Sequence, residues 1–497
     1  MTKVFKNKKQ KTKVKGKKEM KKILVSLLLL VAMMLNIFAM TSCLPGNNGG
    51  NEEEEGKINI TFYHTMGQNL KDVLDIYVEK FEKMYPDINV IHEAIGGYDD
   101  VRDDIATKLT TGEQPNLAYC YPDHVALYNV AKAVVTLDQF IDDPEIGFTA
   151  EQKADFIQGY YAEGMAFGDG KMYSLPLSKS TEVLYYNKTF FEDNNLTVPT
   201  TWDEMEEVCK KIIEITSDPN NKKYYNPEVI PLGYDSEANW FITMCEQLGT
   251  DYTSATGDEK FLFNNDENKA FVKRFTDWYT KGYVTTQEIY GSYTSGLFKE
   301  MDSTKPKSYM SIGSSAGATK QRPDKDASTG EYPFEVGITS IPQADKNNPK
   351  VISQGPSVCI FNGHPEEEIR ASWLFVKFLT TSIGFQAEFS QASGYVPVIK
   401  SVASDPDYAK FLDGANGKAG VAALSAKVCL EQEKAYYTSP AFNGSSDARD
   451  EVGALLQKCF VGSVDEKTLQ PKSEAEIIAV INKSFKEAYD QCKYKAG

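Results

Sequence analysis

The stretch KINITFYH, residues 57–64, alternates apolar and polar side chains as a β-strand does. A second such stretch, INVIHEA at residues 88–94, follows a segment from Leu70 to Met84 in which apolar residues recur at helical spacing. With joins this short, the three segments predict a βαβ unit whose two strands lie parallel with a right-handed crossover. The sequence therefore predicts an α/β fold.

Later stretches continue the alternation of strands and helices. Three of them have the composition of strands: VLYYNKTFF (183–191), SYMSIGSS (308–315) and SVCIFNG (357–363). Thr201 and Glu204 form a capping box, which indicates the start of a helix. EEEIRASWLFVKFLTTS, residues 366–382, has the spacing of an amphipathic helix. These elements extend the α/β prediction along the chain.

The amino-terminal end has the composition of an export signal. Eleven lysines and one glutamate in residues 1–22 precede the almost entirely apolar stretch Ile23–Met40. A basic head followed by a short apolar core is typical of a secretory signal, with an ordinary membrane anchor as the alternative. Met20 opens a complete signal by itself, so the start codon is that of Met1 or Met20.

The end of this signal resembles the lipobox of bacterial lipoproteins. Met40-Thr41-Ser42-Cys43 matches its pattern, with Met in place of the usual Leu. The resemblance implies that residues 1–43 hold a lipoprotein signal peptide and that the Cys43 thiol carries a diacylglycerol. Residues 44–56, rich in Gly, Asn and Glu, are too polar to fold and predict a flexible tether. We therefore expect an exported protein, lipid-anchored on the outer face of the cytoplasmic membrane, and the Lys-rich head favours a Gram-positive cell surface.

The charge of the remaining chain is strongly negative. Of 54 Lys and Arg and 70 Asp and Glu residues, the first 43 residues hold eleven and one, which leaves 43 basic and 69 acidic residues. Such a surface favours solubility and disfavours nucleic acid or an anionic membrane as a partner. The chain from about residue 57 onward is long enough for two domains.

The cysteines and histidines do not form the patterns of disulfide frameworks or metal sites. Seven cysteines follow the signal, widely scattered and without a CxxC pair, which favours buried free thiols. The four histidines lack the spacing of metal ligands. We therefore expect no metal and no cofactor.

Four passages, in order along the chain, resemble the family 1 extracellular solute-binding proteins of carbohydrate-type ABC importers. They are ITFYHTMG (60–67) with FEKMYPDINV (81–90), YSLPLSKSTEVLYYNKTFFEDNNLTVPTTWDEM (173–205), SYMSIGSSAG (308–317) and SGYVPVIKS (393–401). The resemblance covers nearly all of residues 57–497. Within the family, the likeness is greatest to the sn-glycerol-3-phosphate binding proteins.

The resemblance implies a two-lobed, periplasmic-binding-protein-like fold, similar to type II, with the ligand cleft at the hinge. By analogy, lobe I holds residues 57–182 and 345–395, and lobe II holds residues 183–344 and 396–497. The implied protein is a monomer that captures a carbohydrate, or alternatively sn-glycerol 3-phosphate, and delivers it to ABC permease subunits.

A polyol presents hydroxyl groups and C–H faces, so its site needs polar side chains beside aromatic rings. The resemblance implies ligand-binding roles for Tyr98, Asp123, Ser180, Trp240, Ser314, Gly355, Tyr395 and Arg449. Each position has a structural alternative, such as strand packing for Ser180 and a turn before a proline for Tyr395. By contrast, the helical settings of Trp202, Trp278 and Trp373 favour the core.

Arg449 bears most directly on the class of ligand. Its guanidinium could bind phosphate with two hydrogen bonds, donate to sugar hydroxyls, or pair with Asp447 or Asp450 on the surface. The glycerol phosphate binders place a glutamate in the segment equivalent to YCYPDHVAL, where this chain has Pro122 followed by Asp123. This departure argues against a phosphorylated ligand and makes Asp123 a candidate acceptor for hydroxyls.

The sequence leaves two other classes of function open, an enzyme and a sensor. A lipoprotein glycosidase would need two carboxylates at a defined separation. With 69 acidic residues after the signal, the sequence contains many candidate pairs and does not exclude this class. No zinc motif or phosphate loop is present, and we expect a binding protein rather than an enzyme. A ligand sensor for a membrane kinase would use the same cleft as an uptake receptor.

Overall fold

The computed structural model of the protein describes residues 52–301 and 307–495. The predicted signal peptide (1–43), its lipidation site Cys43 and most of the predicted tether (44–56) lie outside these residues. Within the two described ranges, no helix combines the length with the apolar composition needed to cross a bilayer.

Strands and helices alternate through most of the described chain. The strands there are β1 (Ile58–His64), β2 (Ile88–Ala94), β3 (Leu117–Cys120), β4 (Leu175–Pro176), β5 (Glu182–Asn187), β6 (Leu232–Tyr234), β7 (Val284–Thr286), β8 (Met310–Ser314), β9 (Val336–Ser340), β10 (Val351–Ile352), β11 (Ser357–Ile360) and β12 (Tyr436–Tyr437). The α-helices up to β8 are α1 (Gln68–Met84), α2 (Tyr98–Lys108), α3 (Pro122–Asn129), α4 (Asp138–Ile141), α5 (Ala150–Asp155), α6 (Gln158–Glu163), α7 (Lys188–Asp193), α8 (Trp202–Ser217), α9 (Glu237–Leu248), α10 (Asp266–Thr280), α11 (Gln287–Tyr290) and α12 (Ser295–Phe298). Those after β11 are α13 (Glu366–Thr381), α14 (Ile383–Ser393), α15 (Pro406–Asp413), α16 (Val421–Glu431), α17 (Ser445–Gly462) and α18 (Glu474–Lys495).

The predicted βαβ unit is confirmed. β1 and β2 pair in parallel over seven residues, with Ile58 opposite Ile88 and His64 opposite Ala94. The helix between them, α1, buries one face, formed by Leu74, Tyr77, Val78 and Phe81. This face packs against α13 and α14, so the unit forms one layer of the first core.

Ten of the twelve strands form two five-stranded sheets of mixed direction, and β10 and β12 pair in parallel with each other. The first sheet has the order β2-β1-β3-β11-β4, and the second has the order β7-β6-β8-β5-β9. β11 runs antiparallel to both of its neighbours in the first sheet. β5 likewise runs antiparallel to β8 and β9 in the second. The predicted α/β class is therefore confirmed.

One predicted strand is shorter than the sequence suggested. VLYYNKTFF was predicted as a strand throughout, but β5 ends at Asn187 and α7 begins at Lys188. The Asn187 side chain accepts a hydrogen bond from the Phe190 amide and so caps the helix. A local capping bond therefore overrides the strand propensity of the aromatic residues.

Each sheet has its own core. Trp373 lies in the core of the first sheet, and Trp202 and Trp278 lie in that of the second, as predicted. α17 and α18 pack on α9 and α10 in the second core. Val398, Ile399, Val402 and Tyr408, however, pack in the first core, although the predicted boundary assigns them to lobe II. The boundaries themselves stay a prediction.

Three short segments lie side by side at the junction of the two sheets, and we call them the hinge segments: residues 177–181, 353–356 and 395–397. The first leads from β4 to β5, and the second leads from β10 to β11. They are held together by antiparallel bridges between Ser180 and Gln354 and between Lys179 and Val396. Because the first segment is bonded to both of the others, the three segments form one hydrogen-bonded unit.

Candidate ligand-binding site

A cavity of about 250 Å³ lies between the two sheets, beside the hinge segments. Its first-sheet wall is formed by the amino-terminal turns of α2 and α3. Its second-sheet wall is formed by residues 438–441 and the start of α17, and Ser353 and Gln354 of the second hinge segment complete it. Of the eight predicted ligand-binding residues, the structure places three in these walls: Tyr98, Asp123 and Arg449.

Tyr98 and Asp123 reach the cavity because of the topology of the first sheet. β2 and β3 flank β1 in parallel, and each is followed at its carboxyl end by the helix that carries one of these residues. The carboxyl ends of parallel strands are the usual place for ligands in such sheets. Pro122 at the first turn of α3 fits the start of a helix, since proline has no amide hydrogen to lose there.

Four tyrosines form one group at the first-sheet wall. The Tyr98 and Tyr395 hydroxyls lie 3.1 Å apart, in hydrogen-bonding distance. The Tyr98 ring lies 4.8 Å from that of Tyr121 and stacks on that of Tyr119 at 6.4 Å. Burial raises the pKa of both Tyr98 and Tyr395 well above the usual value, so both hydroxyls stay protonated and neutral. The group therefore offers neutral donors and ring faces.

Asp123 connects the two walls. It accepts a hydrogen bond of 2.6 Å from the hydroxyl of Ser446 on α17. Burial raises the pKa of the Asp123 carboxyl, but His124, the Ser446 hydroxyl and Arg449 together outweigh burial, and the net pKa is lowered. Asp123 is therefore an ionised acceptor, and its bond to Ser446 links the first-sheet wall to the second-sheet wall.

Arg449 points into the cavity from the second turn of α17. Its guanidinium Nη2 donates to Asn239 Oδ1, and Asn239 Nδ2 donates to Glu182 Oε1 at 2.9 Å. Asp447, one of the surface partners considered for Arg449, pairs instead with Lys495 at 3.3 Å. Arg449 therefore lines the cleft beside Asp450 while its guanidinium is bonded to Asn239 behind the wall, and its ligand-binding role stays a prediction.

A buried ion pair lies under the cavity at the hinge. Lys179 Nζ donates to Glu163, a cavity-lining residue, and the two side chains are 0% and 2% exposed. The same ammonium donates to Gly355 O at 3.0 Å and to Ser357 Oγ at 3.1 Å. One side chain of the first hinge segment thus holds α6, the second hinge segment and β11 together.

Two predicted residues belong to this hinge and not to the cavity wall. Ser180 exchanges two backbone hydrogen bonds of 2.8 Å with Gln354, which does line the cavity. Gly355 has φ +93°, and a Cβ there would lie 2.5 Å from Ser178 O, so only glycine fits. Its carbonyl is already bonded to Lys179. These positions shape the cleft through the backbone.

Trp240 corrects a prediction. It was expected to stack on a sugar, but its side chain is fully buried in the second core. Its ring stacks on Tyr234 at 4.7 Å and lies 4.4 Å from Phe275, so neither face is free. A helix exposes neighbouring residues on different faces, and here Asn239 is the one that faces the cavity arginine.

Ser314 and Tyr395 lie near the cavity without lining it. The Ser314 hydroxyl accepts from the Ala316 amide at 3.3 Å and caps a short 3₁₀ turn. Tyr395 meets the cavity through its bond to Tyr98. The sequence GSSAG, residues 313–317, has the spacing of a hydrolase nucleophile, but Ser315 is fully buried and its hydroxyl accepts from the Thr181 amide. This serine is structural.

Several cavity residues were missed from the sequence. They are Tyr121, Glu163, Ser353, Gln354 and Ser446 in the walls, with Asn239 and Glu182 behind Arg449. The sequence around Ser446 could have indicated its position, since it lies in the first turn of a helix, three residues before the predicted Arg449. The others had none, because their roles depend on partners far away in the chain. All seven cysteines of the described chain are free and buried, as predicted.

A two-lobed α/β fold with a polar cavity at its hinge defines a class of proteins that hold a small solute between two lobes. The model of the family described as "Bacterial extracellular solute-binding protein" matches residues 77–412. The chain belongs to this family of bacterial extracellular solute-binding proteins. Its members are binding proteins and not enzymes, and they act outside the cytoplasm. The predictions of a binding protein and of an exported protein are therefore confirmed.

Curated relatives and solved structures agree with this assignment. The maltotriose-binding protein of Pyrococcus abyssi is 22% identical over 72% of this chain and 70% of its own length. The sn-glycerol-3-phosphate-binding periplasmic protein of Salmonella typhimurium is 24% identical over 68% of this chain and 74% of its own. The solved ABC substrate-binding protein of Listeria monocytogenes in complex with cycloalternan has a TM-score of 0.65 at 17% identity, covering 88% and 98% of the two chains. This likeness confirms the predicted two-lobed fold.

Proposed function

We propose that the protein captures a neutral carbohydrate in the cavity beside the hinge and delivers it to the permease subunits of an ABC importer. The observation that carries this proposal is the charge of the walls. Four carboxylates, those of Asp99, Asp123, Glu163 and Asp450, line the cavity with two guanidiniums, those of Arg102 and Arg449, and Lys179 pairs with Glu163 from behind the wall, which leaves one carboxylate in excess. A doubly charged phosphate would meet a net negative surface there.

The cations of the cavity already have partners. Arg102 forms ion pairs with Asp99 at 3.0 Å and Asp103 at 2.8 Å. Arg449 donates to Asn239, behind which lies the Glu182 carboxylate. Their remaining N–H groups can donate to sugar hydroxyls without separating an ion pair, which favours a neutral polyol.

The remaining groups suit a sugar. The ionised Asp123 carboxylate accepts from hydroxyls, and the neutral hydroxyl of Tyr98 can donate. The rings of Tyr98 and Tyr121 offer faces for C–H groups. Among the relatives, the maltotriose-binding protein carries a neutral saccharide in its name, which agrees with this reading.

The second candidate is sn-glycerol 3-phosphate, and one observation favours it. α17, a helix of 18 residues, begins at the cavity with Ser445 and Ser446 and carries Arg449 in its second turn. A helix start with an arginine is a recurrent phosphate site. A relative named for sn-glycerol 3-phosphate adds weight to this alternative. The missing glutamate at Pro122 and the excess of carboxylates weigh against it.

A thermal-shift panel on the chain from residue 44 onward separates the two candidates. The panel contains glucose, maltose, longer malto-, xylo- and galacto-oligosaccharides, and sn-glycerol 3-phosphate. A ligand at 100 times its Kd stabilises the folded state by about 2.7 kcal/mol, which is easily measured. We expect a shift with one class of neutral sugar and none with glycerol phosphate. A shift with glycerol phosphate alone would overturn the neutral-sugar proposal.

We also propose that Cys43 carries a lipid that tethers a monomeric receptor to the outer face of the membrane, as on a Gram-positive surface. A tether raises the local concentration of the receptor near its permease. In Cys43→Ala, made in the full chain, the processed protein should leave the membrane fraction and appear in the medium. If the signal is not cleaved, the protein should accumulate instead as a longer precursor. Control substitution of the buried Cys209 should leave the membrane fraction unchanged. Mature Cys43→Ala protein that stays with the membrane as wild type does would exclude the lipid anchor.

The same cleft could serve a sensor for a membrane kinase instead of an importer. Genes for two permease subunits beside this one support uptake, and a gene for a histidine kinase supports sensing. Uptake of the panel's sugar in cells that lack this protein should fall if the receptor serves an importer.

A further inference from the structure

A chain of hydrogen bonds runs from the cavity into the second core. Arg449 Nη2 donates to Asn239 Oδ1, and Asn239 Nδ2 donates to Glu182 Oε1 at 2.9 Å. The Tyr234 hydroxyl donates to the other oxygen, Glu182 Oε2, at 2.6 Å. Asn239, Glu182 and Tyr234 are all at least 98% buried. The cavity arginine is therefore connected to a buried carboxylate through one amide.

Its two partners, Glu182 and Arg449, both fix which way the Asn239 amide faces. Because an ionised carboxylate only accepts hydrogen bonds, Asn239 must turn its NH₂ group to Glu182. Its carbonyl oxygen then faces Arg449, whose guanidinium only donates. A reversed amide would place two donors together at one end and two acceptors at the other. Arg449 and the ionised Glu182 thus require the same orientation of the Asn239 amide, which presents its carbonyl oxygen to the guanidinium.

We propose that Glu182 and Asn239 are positioning residues for Arg449, which fix the direction of its guanidinium and compensate its charge from behind the cavity wall. The proposal rests on the proposed function and deepens it. A guanidinium whose charge is already balanced by a buried carboxylate attracts a phosphate less strongly, but it can still donate hydrogen bonds to sugar hydroxyls. The positioning of Arg449 follows from the geometry of the unliganded protein and can be tested without the ligand.

The charge of Glu182 changes near neutral pH. Burial raises the pKa of its carboxyl to about 7, against the lowering effects of Tyr234, Asn239 and Arg449. Asp235 also raises this pKa, and Tyr437 faces the same carboxylate from β12. Above this pH the carboxylate balances Arg449, and below it the guanidinium loses its counter-charge. The environment of Arg449 should therefore titrate with Glu182.

Arginine NMR tests this coupling directly. The chain has five arginines, at 102, 274, 322, 370 and 449. In the soluble chain from residue 44 to 497 labelled with ¹⁵N-arginine, the Arg449 side-chain resonance is assigned by its loss in Arg449→Lys. We expect this resonance to shift between pH 5.5 and 8.5 with a midpoint near 7. In Glu182→Gln the shift should be absent.

Two further variants make the test decisive. Glu237→Gln changes another buried carboxylate of α9, bonded to the Glu288 amide, and should leave the Arg449 titration as in wild type. Tyr234→Phe removes one hydrogen bond to Glu182 and should move the midpoint upward, because that bond lowers the pKa. This variant keeps the ring and serves if Glu182→Gln does not fold. An Arg449 resonance that does not titrate, or a midpoint unmoved in Tyr234→Phe, would overturn the proposal.

Discussion

Replacing Lys179 with methionine is expected to lower the free energy of unfolding by about 3–5 kcal/mol, the range found when one partner of a buried ion pair is removed. The physical reason is that Glu163 would remain 2% exposed without its counter-charge. Gly355 O and Ser357 Oγ would also lose a donor. The loss should be measured by urea unfolding of the chain from residue 44 to 497, with ligand absent.

Two variants separate the buried charge from packing. The double variant Lys179→Met with Glu163→Leu removes both charges and should recover most of the loss, since apolar replacements of buried pairs are often neutral. Lys188→Met is the matched control, because Lys188 bonds Glu335 at 2.7 Å but both side chains are about one third exposed. That change should cost below about 1 kcal/mol. Equal losses for Lys179→Met and Lys188→Met would contradict the assignment of the hinge pair.

Arg449→Ala is expected to weaken binding of the sugar found by the panel by about 10- to 150-fold, the equivalent of one or two hydrogen bonds from a charged donor. The expectation follows from the position of the guanidinium in the cavity wall, next to Asp123 and Ser446. Isothermal titration calorimetry on the chain from residue 44 to 497 gives the change in Kd. Arg322→Ala, which removes bonds to the surface carbonyls of Lys418 and Ala419, is the control and should bind as wild type does.

Arg449→Lys refines this result by ligand class. A lysine keeps the charge but loses the planar pair of donors that matches a phosphate. For a neutral sugar we expect a smaller loss than in Arg449→Ala, because single hydroxyls accept from one donor at a time. A phosphorylated ligand should suffer far more. Unchanged sugar affinity in Arg449→Ala would remove this residue from the site.

The sequence predicted the first βαβ unit, the capped start of α8 and the long helix α13 closely. Each depends on neighbours within a few residues: alternation in β1, the Thr201 and Glu204 capping bonds, and the apolar stripe of α13. The prediction for residues 183–191 was wrong in its second half because Asn187 caps a helix there. Strand propensity and helix capping compete in this segment, and the single bond from the Phe190 amide to Asn187 favours the helix.

The site was predicted in part, through resemblance. Tyr98, Asp123 and Arg449 come together in the cavity although more than 300 residues separate the first from the last. Trp240 is buried in the second core, while its neighbour Asn239 on α9 contacts Arg449, because one position along a helix turns the side chain by about 100°. Glu163 and Lys179 carry no local pattern that distinguishes them from the other charged residues of the chain.

By its own patterns the sequence determined the α/β class, the acidic composition and several of the helices and strands, because periodicity and capping act over a few residues. Only the tertiary structure decided which charges are buried and paired, which face of α9 meets Arg449, and which walls form the cavity. Those outcomes depend on contacts between segments far apart in the chain, as between Lys179 and Glu163 or Asn239 and Arg449. Burial makes each of these contacts strong, and burial exists only after the two sheets have folded around the hinge.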